Sequence, residues 1–347
     1  MASQAGKSAE LPAEEIARRQ AEVEIRGRII SEGPSRHAWL NIAGPLGALI
    51  LGVFAAAFYI SPISVIRWAQ RMDLGFSGIT RNSVALQDGG LMSYYITGGY
   101  PGMDPVLLIH GLGPNAGLVW RSVMEPLSEG HYKVVAPDLM GFGSSDHSQK
   151  TCSIAYEAGA IAQLVKQLGL RHVNVIGWDV GADVALYYAE VHPQNVERLI
   201  LVSGGMFGRE GANVLRKGML PGNAQEMEQQ VDESFFDLPP MPSFMYERMM
   251  ASLAADLPAQ TDMLDSVPKD EARIRARMGR IFNTLTVVLW GGKDPYYSPH
   301  RGAALHAMMP GSASIVFKTS GHYPQLEHPK DFANTMLFIM KQTEGGQ

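Results

Sequence analysis

The chain has a single cysteine, Cys152, among 347 residues. That excludes an internal disulfide and leaves the redox compartment open. Its ten histidines show none of the paired spacing of a zinc site, so neither a metal nor a cofactor is expected. Clusters of basic residues are missing too. With 29 Lys and Arg against 34 Asp and Glu, the net charge of −5 speaks against a nucleic-acid partner. No internal repeat is found, and the pattern Gly-x-Ser-x-Gly occurs nowhere. What the chain does have is apolar content, 46% of residues, enough for one large core with an appendage.

Charge is absent altogether from Trp39 to Ile66. Within that stretch Ile42 to Ile60 is long enough to cross roughly 30 Å of hydrocarbon as a helix. Residues 1–36 before it are a polar tail, and 37–68 read as a transmembrane anchor in contact with a lipid bilayer. Gly44, Pro45 and Gly47 are tolerated in a membrane helix, and Trp39, Tyr59 and Trp68 sit where interfacial aromatics belong. A cleaved signal peptide fits less well, because the charged region is too long and the apolar run exceeds a normal signal core. Arg18, Arg19, Arg26, Arg28 and Arg36 precede the span and Arg67, Arg71 and Arg81 follow it. This bias favours an inside N-terminus, a single pass, and a catalytic domain on the non-cytoplasmic side.

After residue 69 short β-rich runs alternate with helical ones, the pattern of a mostly parallel sheet covered on both faces. Eight strands are expected, at 83–86, 92–97, 106–110, 133–136, 173–176, 198–202, 286–290 and 314–317. Helical spacing falls at 119–128, 154–168, 182–190, 300–308 and 330–341. The alternation stops in a Met-rich insert at 204–283, read as a helical cap between two core parts, 69–203 and 284–347. Met241, Phe244, Met245, Met249 and Met250 offer it a flexible apolar surface for a hydrophobic small molecule.

The chemistry gathers at strand ends. At 173–184 a strand turns through Gly177-Trp178-Asp179-Val180-Gly181 into an apolar helix. Such a turn lifts its apex, Asp179, clear of the sheet and needs glycine on both sides. His110-Gly111-Leu112-Gly113 follows the third strand and can present the Leu112 N–H, with that of Val180, to a developing oxyanion. Asp294 ends the seventh strand and His322 follows the eighth. The aromatic residues Trp178, Tyr246 and Trp120 are candidates for contact with substrate. Asp138 and His110 read as architectural.

The turn resembles the nucleophile elbow of the α/β-hydrolases, and the order nucleophile, acid, histidine is that of the superfamily. Residues 75–343 resemble that fold throughout, so an α/β-hydrolase core with a cap insert is expected behind an N-terminal transmembrane helix. The anchor and Pro221-Gly-Asn-Ala-Gln-Glu-Met227 resemble the membrane-anchored monoacylglycerol lipases and esterases, which use serine at the apex. An apex aspartate resembles instead the epoxide hydrolases and haloalkane dehalogenases. The chain departs from both, with Val180 and Leu112 where dehalogenases carry Trp and Asn, and with Tyr246 as the one tyrosine of the cap. A carboxylate attacking an ester carbonyl would form a mixed anhydride, whereas attack on an activated saturated carbon gives an ordinary alkyl ester. The expected function is therefore hydrolysis of a hydrophobic epoxide, halide or lactone by Asp179, His322 and Asp294. Two other readings stay open: an esterase in which Asp179 is a base, and a binding protein that has lost catalysis.

Overall fold

Runs of apolar residues buried on both faces build the sheet. Val106, Leu107, Leu108 and Ile109 are wholly inaccessible to solvent, as a central parallel strand requires. Each such side chain contributes up to about 1.5–3 kcal/mol by leaving water. The strands are β1 (Thr80–Ala85), β2 (Leu91–Thr97), β3 (Asp104–Ile109), β4 (Tyr132–Pro137), β5 (Val173–Trp178), β6 (Val196–Val202), β7 (Leu285–Gly291) and β8 (Ala313–Phe317). They form one sheet in the order β1-β2-β4-β3-β5-β6-β7-β8. β1 and β2 pair antiparallel, as do β2 and β4, and all other pairs are parallel. The eight expected strands are thus found, each within three residues of its expected ends.

This computed structural model describes residues 51–53, 56, 59–60, 65, 77–113, 115–147, 151–206, 208–239 and 241–342. The chain divides into two compact units, Met1–Ser61 and Pro62–Gln347. The polar tail 1–36 lies outside the described residues, as does most of the expected span. In the first unit Leu51–Val53, Ala56, Tyr59 and Ile60 are helical and exposed. No helix among the described residues is long and apolar enough to cross a membrane.

Among the described residues from 77 onward the α-helices are α1 (Ala116–Glu129), α2 (Ile154–Gln167), α3 (Val180–Val191), α4 (Gly208–Met219), α5 (Ala224–Ser234), α6 (Ser243–Leu253), α7 (Leu257–Arg277), α8 (Pro299–Met308), α9 (Pro324–Glu327) and α10 (Pro329–Lys341). Short polar side chains start several of them. The Asn115, Ser153 and Asn223 side chains accept from Leu118, Tyr156 and Glu226 N–H, satisfying donors that the first turn leaves open. Helices α4 to α7 stand between β6 and β7, in the segment read as a cap, and β3, β5 and β7 point their C-terminal ends towards the same loops.

Candidate active site

The elbow is tighter than its sequence suggests. β5 continues through Trp178 and α3 begins at Val180, so one residue, Asp179, makes the whole reversal at φ 54° and ψ −130°. That left-handed φ costs a non-glycine residue about 1–3 kcal/mol. Close packing holds it there. A Cβ on Gly177 would strike the Gly181 carbonyl oxygen, and one on Gly181 would strike that of His110. Asp179 N–H donates to Val202 O at 3.0 Å, tying the apex to β6.

The turn buries the Asp179 carboxylate completely. Its Oδ2 accepts from the Leu112 N–H at 2.7 Å. Val180 opens α3, so its N–H has no acceptor within the helix and belongs to the positive end of the helix dipole. Oδ1 has no hydrogen-bond partner among the described residues. It faces His322 Nε2 at 3.7 Å, close enough for charge attraction and too long for a direct hydrogen bond. On the other side of the ring, His322 Nδ1–H donates to Asp294 Oδ2 at 2.9 Å. Asp294 Oδ1 accepts from the N–H groups of Tyr296 and Tyr297, both at 3.0 Å. Leu112, Asp179, Val180, Asp294 and His322 therefore meet at the C-terminal edge of the sheet.

The imidazole of His322 lies between two carboxylates. Burial alone would lower its pKa, but the charge of Asp294 and the pull of both aspartates outweigh that and raise it to about 10. Its backbone is fixed as firmly as its ring. His322 N–H donates to Ser234 O in α5 at 2.8 Å, and Trp178 Nε1–H donates to His322 O at 2.9 Å. Glu327 accepts from Gly321 N–H (2.8 Å) and the Ser320 hydroxyl (2.9 Å) through Oε1, and from Phe236 N–H (2.7 Å) through Oε2.

A cavity of about 390 Å³ adjoins this group at Leu112, whose N–H holds Asp179, and at Tyr323, next in the chain to His322; the Asp179 and His322 side chains do not themselves line it. Leu112 and Tyr323 from the core and Met219, Met245, Met249 and Gln260 from the cap are among the residues that line it. Of the five apolar cap residues picked from the sequence, Met241, Met245 and Met249 reach it, whereas Phe244 and Met250 do not line it.

The alpha/beta hydrolase fold family matches the chain over residues 104–329. The chain belongs to that family and is a hydrolase. Among its relatives is an uncharacterized protein of Mycobacterium tuberculosis, 30% identical over 266 residues, which cover 69% of this chain and 76% of the relative. Lipase 3 of a Moraxella species is 28% identical over 270 residues, 74% of this chain and 84% of that one. A crystal structure of a membrane phospholipase A, described as a bacterial virulence factor, superposes with a TM-score of 0.68 at 23% identity, covering 86% of this chain and 97% of that chain.

In this hydrolase the three aromatic residues expected at the substrate do not line the cavity. Trp178 is enclosed and spends its indole on positioning: its N–H holds the His322 carbonyl and its ring packs 5.2 Å from the imidazole and 4.6 Å from Tyr323. Trp120 is buried under α10 against Phe332, with a 6.2 Å centroid separation. Tyr246 is 2% exposed and sits in a separate cap cluster with Met227 and Val231. Two expected architectural residues are placed as architecture. His110 Nε2 accepts from Leu139 N–H at 3.0 Å, and burial lowers its pKa to about 4. Asp138 takes the N–H groups of Ala116 (2.8 Å) and Ser144 (2.9 Å), with burial raising its pKa to about 6.

Sequence reasoning passed over Asp183 and Glu271, two carboxyls packed together behind the elbow. Asp183 in α3 accepts from Met206 N–H at 2.7 Å, and Glu271 in α7 accepts from Gly208 N–H. Together they hold both sides of the hinge where β6 leaves for the cap. Burial and then the charge of Glu271 push the Asp183 carboxyl well above the usual carboxylate range. One signal was available: Asp183 is the lone charge among Ala182, Val184, Ala185 and Leu186. Among the described residues no group of three or more His, Cys, Asp or Glu side chains is placed to hold a metal ion.

Proposed function

We propose that the chain hydrolyses an activated bond at saturated carbon in an apolar substrate, an epoxide or an alkyl halide, through an ester between that carbon and Asp179. The observation carrying this reading is the posture of the carboxylate. Oδ2 is docked on the Leu112 N–H while Oδ1 is free of hydrogen bonds among the described residues. The free oxygen is the stronger nucleophile, and the docked one already occupies the place where negative charge develops in the second step. In the first step Oδ1 attacks carbon; its lone pair forms the new C–O bond as the carbon–halide or ring C–O bond breaks. Halide departs as the anion, and a ring oxygen takes its proton from water. In the second step water adds to the Asp179 carbonyl carbon and gives a proton to His322. The charge gathers on Oδ2, and collapse expels the product oxygen, which recovers the proton from His322.

Ester hydrolysis is the second reading, favoured by the likeness to Lipase 3 of Moraxella. Against it stands the same hydrogen bond: the hole that a substrate carbonyl would need is filled by the enzyme's own carboxylate. The two part on one experiment. His322→Gln, incubated with an epoxide or a haloalkane, is expected to complete the first step and stall, leaving a substrate-sized mass on the peptide containing Asp179. Wild type turned over once in ¹⁸O-water should carry the label in that carboxylate. Label confined to product, with no adduct in the variant, would overturn the nucleophilic role.

We also propose that the uncharged run 39–66 anchors the chain in a bilayer by a single pass, with the catalytic domain on the non-cytoplasmic side. Its length and lack of charge support this. Full-length protein should stay with the membrane pellet through an alkaline carbonate wash; release into the supernatant would refute the anchor.

A further inference from the structure

The cavity that adjoins Leu112 is lined mostly by apolar side chains; among its polar residues, Asn115, Gln230, Ser234, Ser252, Asp256 and Gln260, one is enclosed and unpaired at both ends of its amide. Gln260 is 1% exposed and lines it, and neither its Nε2 nor its Oε1 has a hydrogen-bond partner among the described residues. Leaving such an amide buried and unpaired carries a desolvation penalty for each group. A helix position facing methionine and leucine is filled at no such cost by Leu or Met, both better helix formers or equal ones. Because both ends of the amide are unpaired, the argument is indifferent to which is N and which is O. A second unpaired oxygen, Gln230 Oε1, belongs to another residue in the same wall.

We infer that Gln260 is a specificity residue: the cavity takes an uncharged, largely apolar substrate bearing a hydroxyl or carbonyl group away from its reacting carbon, and the Gln260 amide binds that oxygen. This rests on the reading of the cavity as the substrate site of Asp179. The chemistry narrows the class from both sides. The lining holds no Lys, Arg or His, and its one carboxylate, Asp256, is paired with His147 at 2.9 Å, so a charged headgroup finds no free counter-ion there. An unsubstituted hydrocarbon would leave the amide as unpaired as it is now. A single neutral oxygen satisfies it: a carbonyl accepts from Nε2, and a hydroxyl can also donate to Oε1. A site built to bond such an oxygen discriminates against the analogue that lacks it far more sharply than an apolar wall does.

The test reads binding without turnover. Wild type, Gln260→Leu and Gln260→Met are titrated with 2-decanone and with decane, each displacing a neutral fluorescent naphthylamine from the cavity. Decane reports whether each variant keeps the cavity, and methionine supplies a flexible replacement should leucine disturb α7. Expected is a roughly ten- to hundredfold weaker hold on decanone in both variants, with decane unchanged or tighter. Equal changes for the two ligands, or an unchanged decanone affinity, overturn the inference. Decanone selectivity lost in the variants without any adduct ever forming on Asp179 would overturn the catalytic reading alone. Adduct formation with no decanone selectivity would overturn this one alone.

Discussion

Replacing Asp179 by asparagine imitates what alkylation does to its charge while keeping the shape of the side chain. His322 Nε2 stands 3.7 Å from Asp179 Oδ1, and both side chains are fully buried. At an effective dielectric of about 20, a unit charge at that distance is worth about 4–5 kcal/mol to the imidazolium. Removing it should carry the His322 midpoint from about 10 down to roughly 7. Asp294 remains in place on Nδ1, so the ring keeps its orientation. Under the proposed mechanism the consequence would be kinetic order: a histidine held protonated while Asp179 is free would become a base once Asp179 is esterified, which is when a base is needed. The assay is ¹⁵N NMR of histidine-labelled protein from pH 5 to 11, with the His322→Gln spectrum identifying the resonance. A midpoint in Asp179→Asn within half a pH unit of wild type would refute the reasoning, since it would show that the carboxylate does not govern the base.

Two further outcomes follow from groups at a distance from the nucleophile. Glu157 is buried in α2, where desolvation raises its pKa from 4.5 to about 8. Folding thus favours its protonated form: the penalty is absent below pH 4.5, grows between 4.5 and 8, and reaches about 3 kcal/mol by pH 7. Glu157→Gln, which keeps an acceptor for Met140 N–H, should melt roughly 5–10 °C above wild type at pH 7 and level with it at pH 4.5; a variant no more stable at pH 8 would contradict this. Glu327→Ala strips the acceptor from three donors and should lower stability by about 2 kcal/mol or more in urea. It should also slow breakdown of the Asp179 adduct while sparing its formation, as followed by intact-protein mass spectrometry.

The sheet was legible because Val106–Ile109 is apolar on both faces and Val173–Ile176 is so except at Asn174, a pattern with no competing use in a short segment. Gly177 and Gly181 marked the elbow for a steric reason that any side chain would violate. Asp294 and His322 stood out by position at strand ends, which is where loops of this fold converge. Facing within all-buried runs was not legible. Nothing in the spacing of Trp120, Trp178 or Tyr246 says whether an indole or phenol points to a cavity or into packing, because every neighbour is buried as well. The cap was read as helical, but the bounds of α4 to α7 were not legible, since their prolines and polar residues are helical only in company. The part played by Glu327 stayed hidden for a related reason: its three donors come from two loops joined only in the folded chain.

The bond from His322 N–H to Ser234 O makes the roof of the cavity a component of the base. α5 cannot swing outward without letting go of the loop that presents the imidazole, and Glu327 repeats the link through Phe236. A molecule too bulky for the cavity, in forcing the cap apart, would disarm the histidine that has to finish the reaction. Under the proposed ester mechanism, size selection would fall on the release of the enzyme from its own ester, and an oversized substrate would act as a slow inhibitor that stays attached rather than as a weak binder.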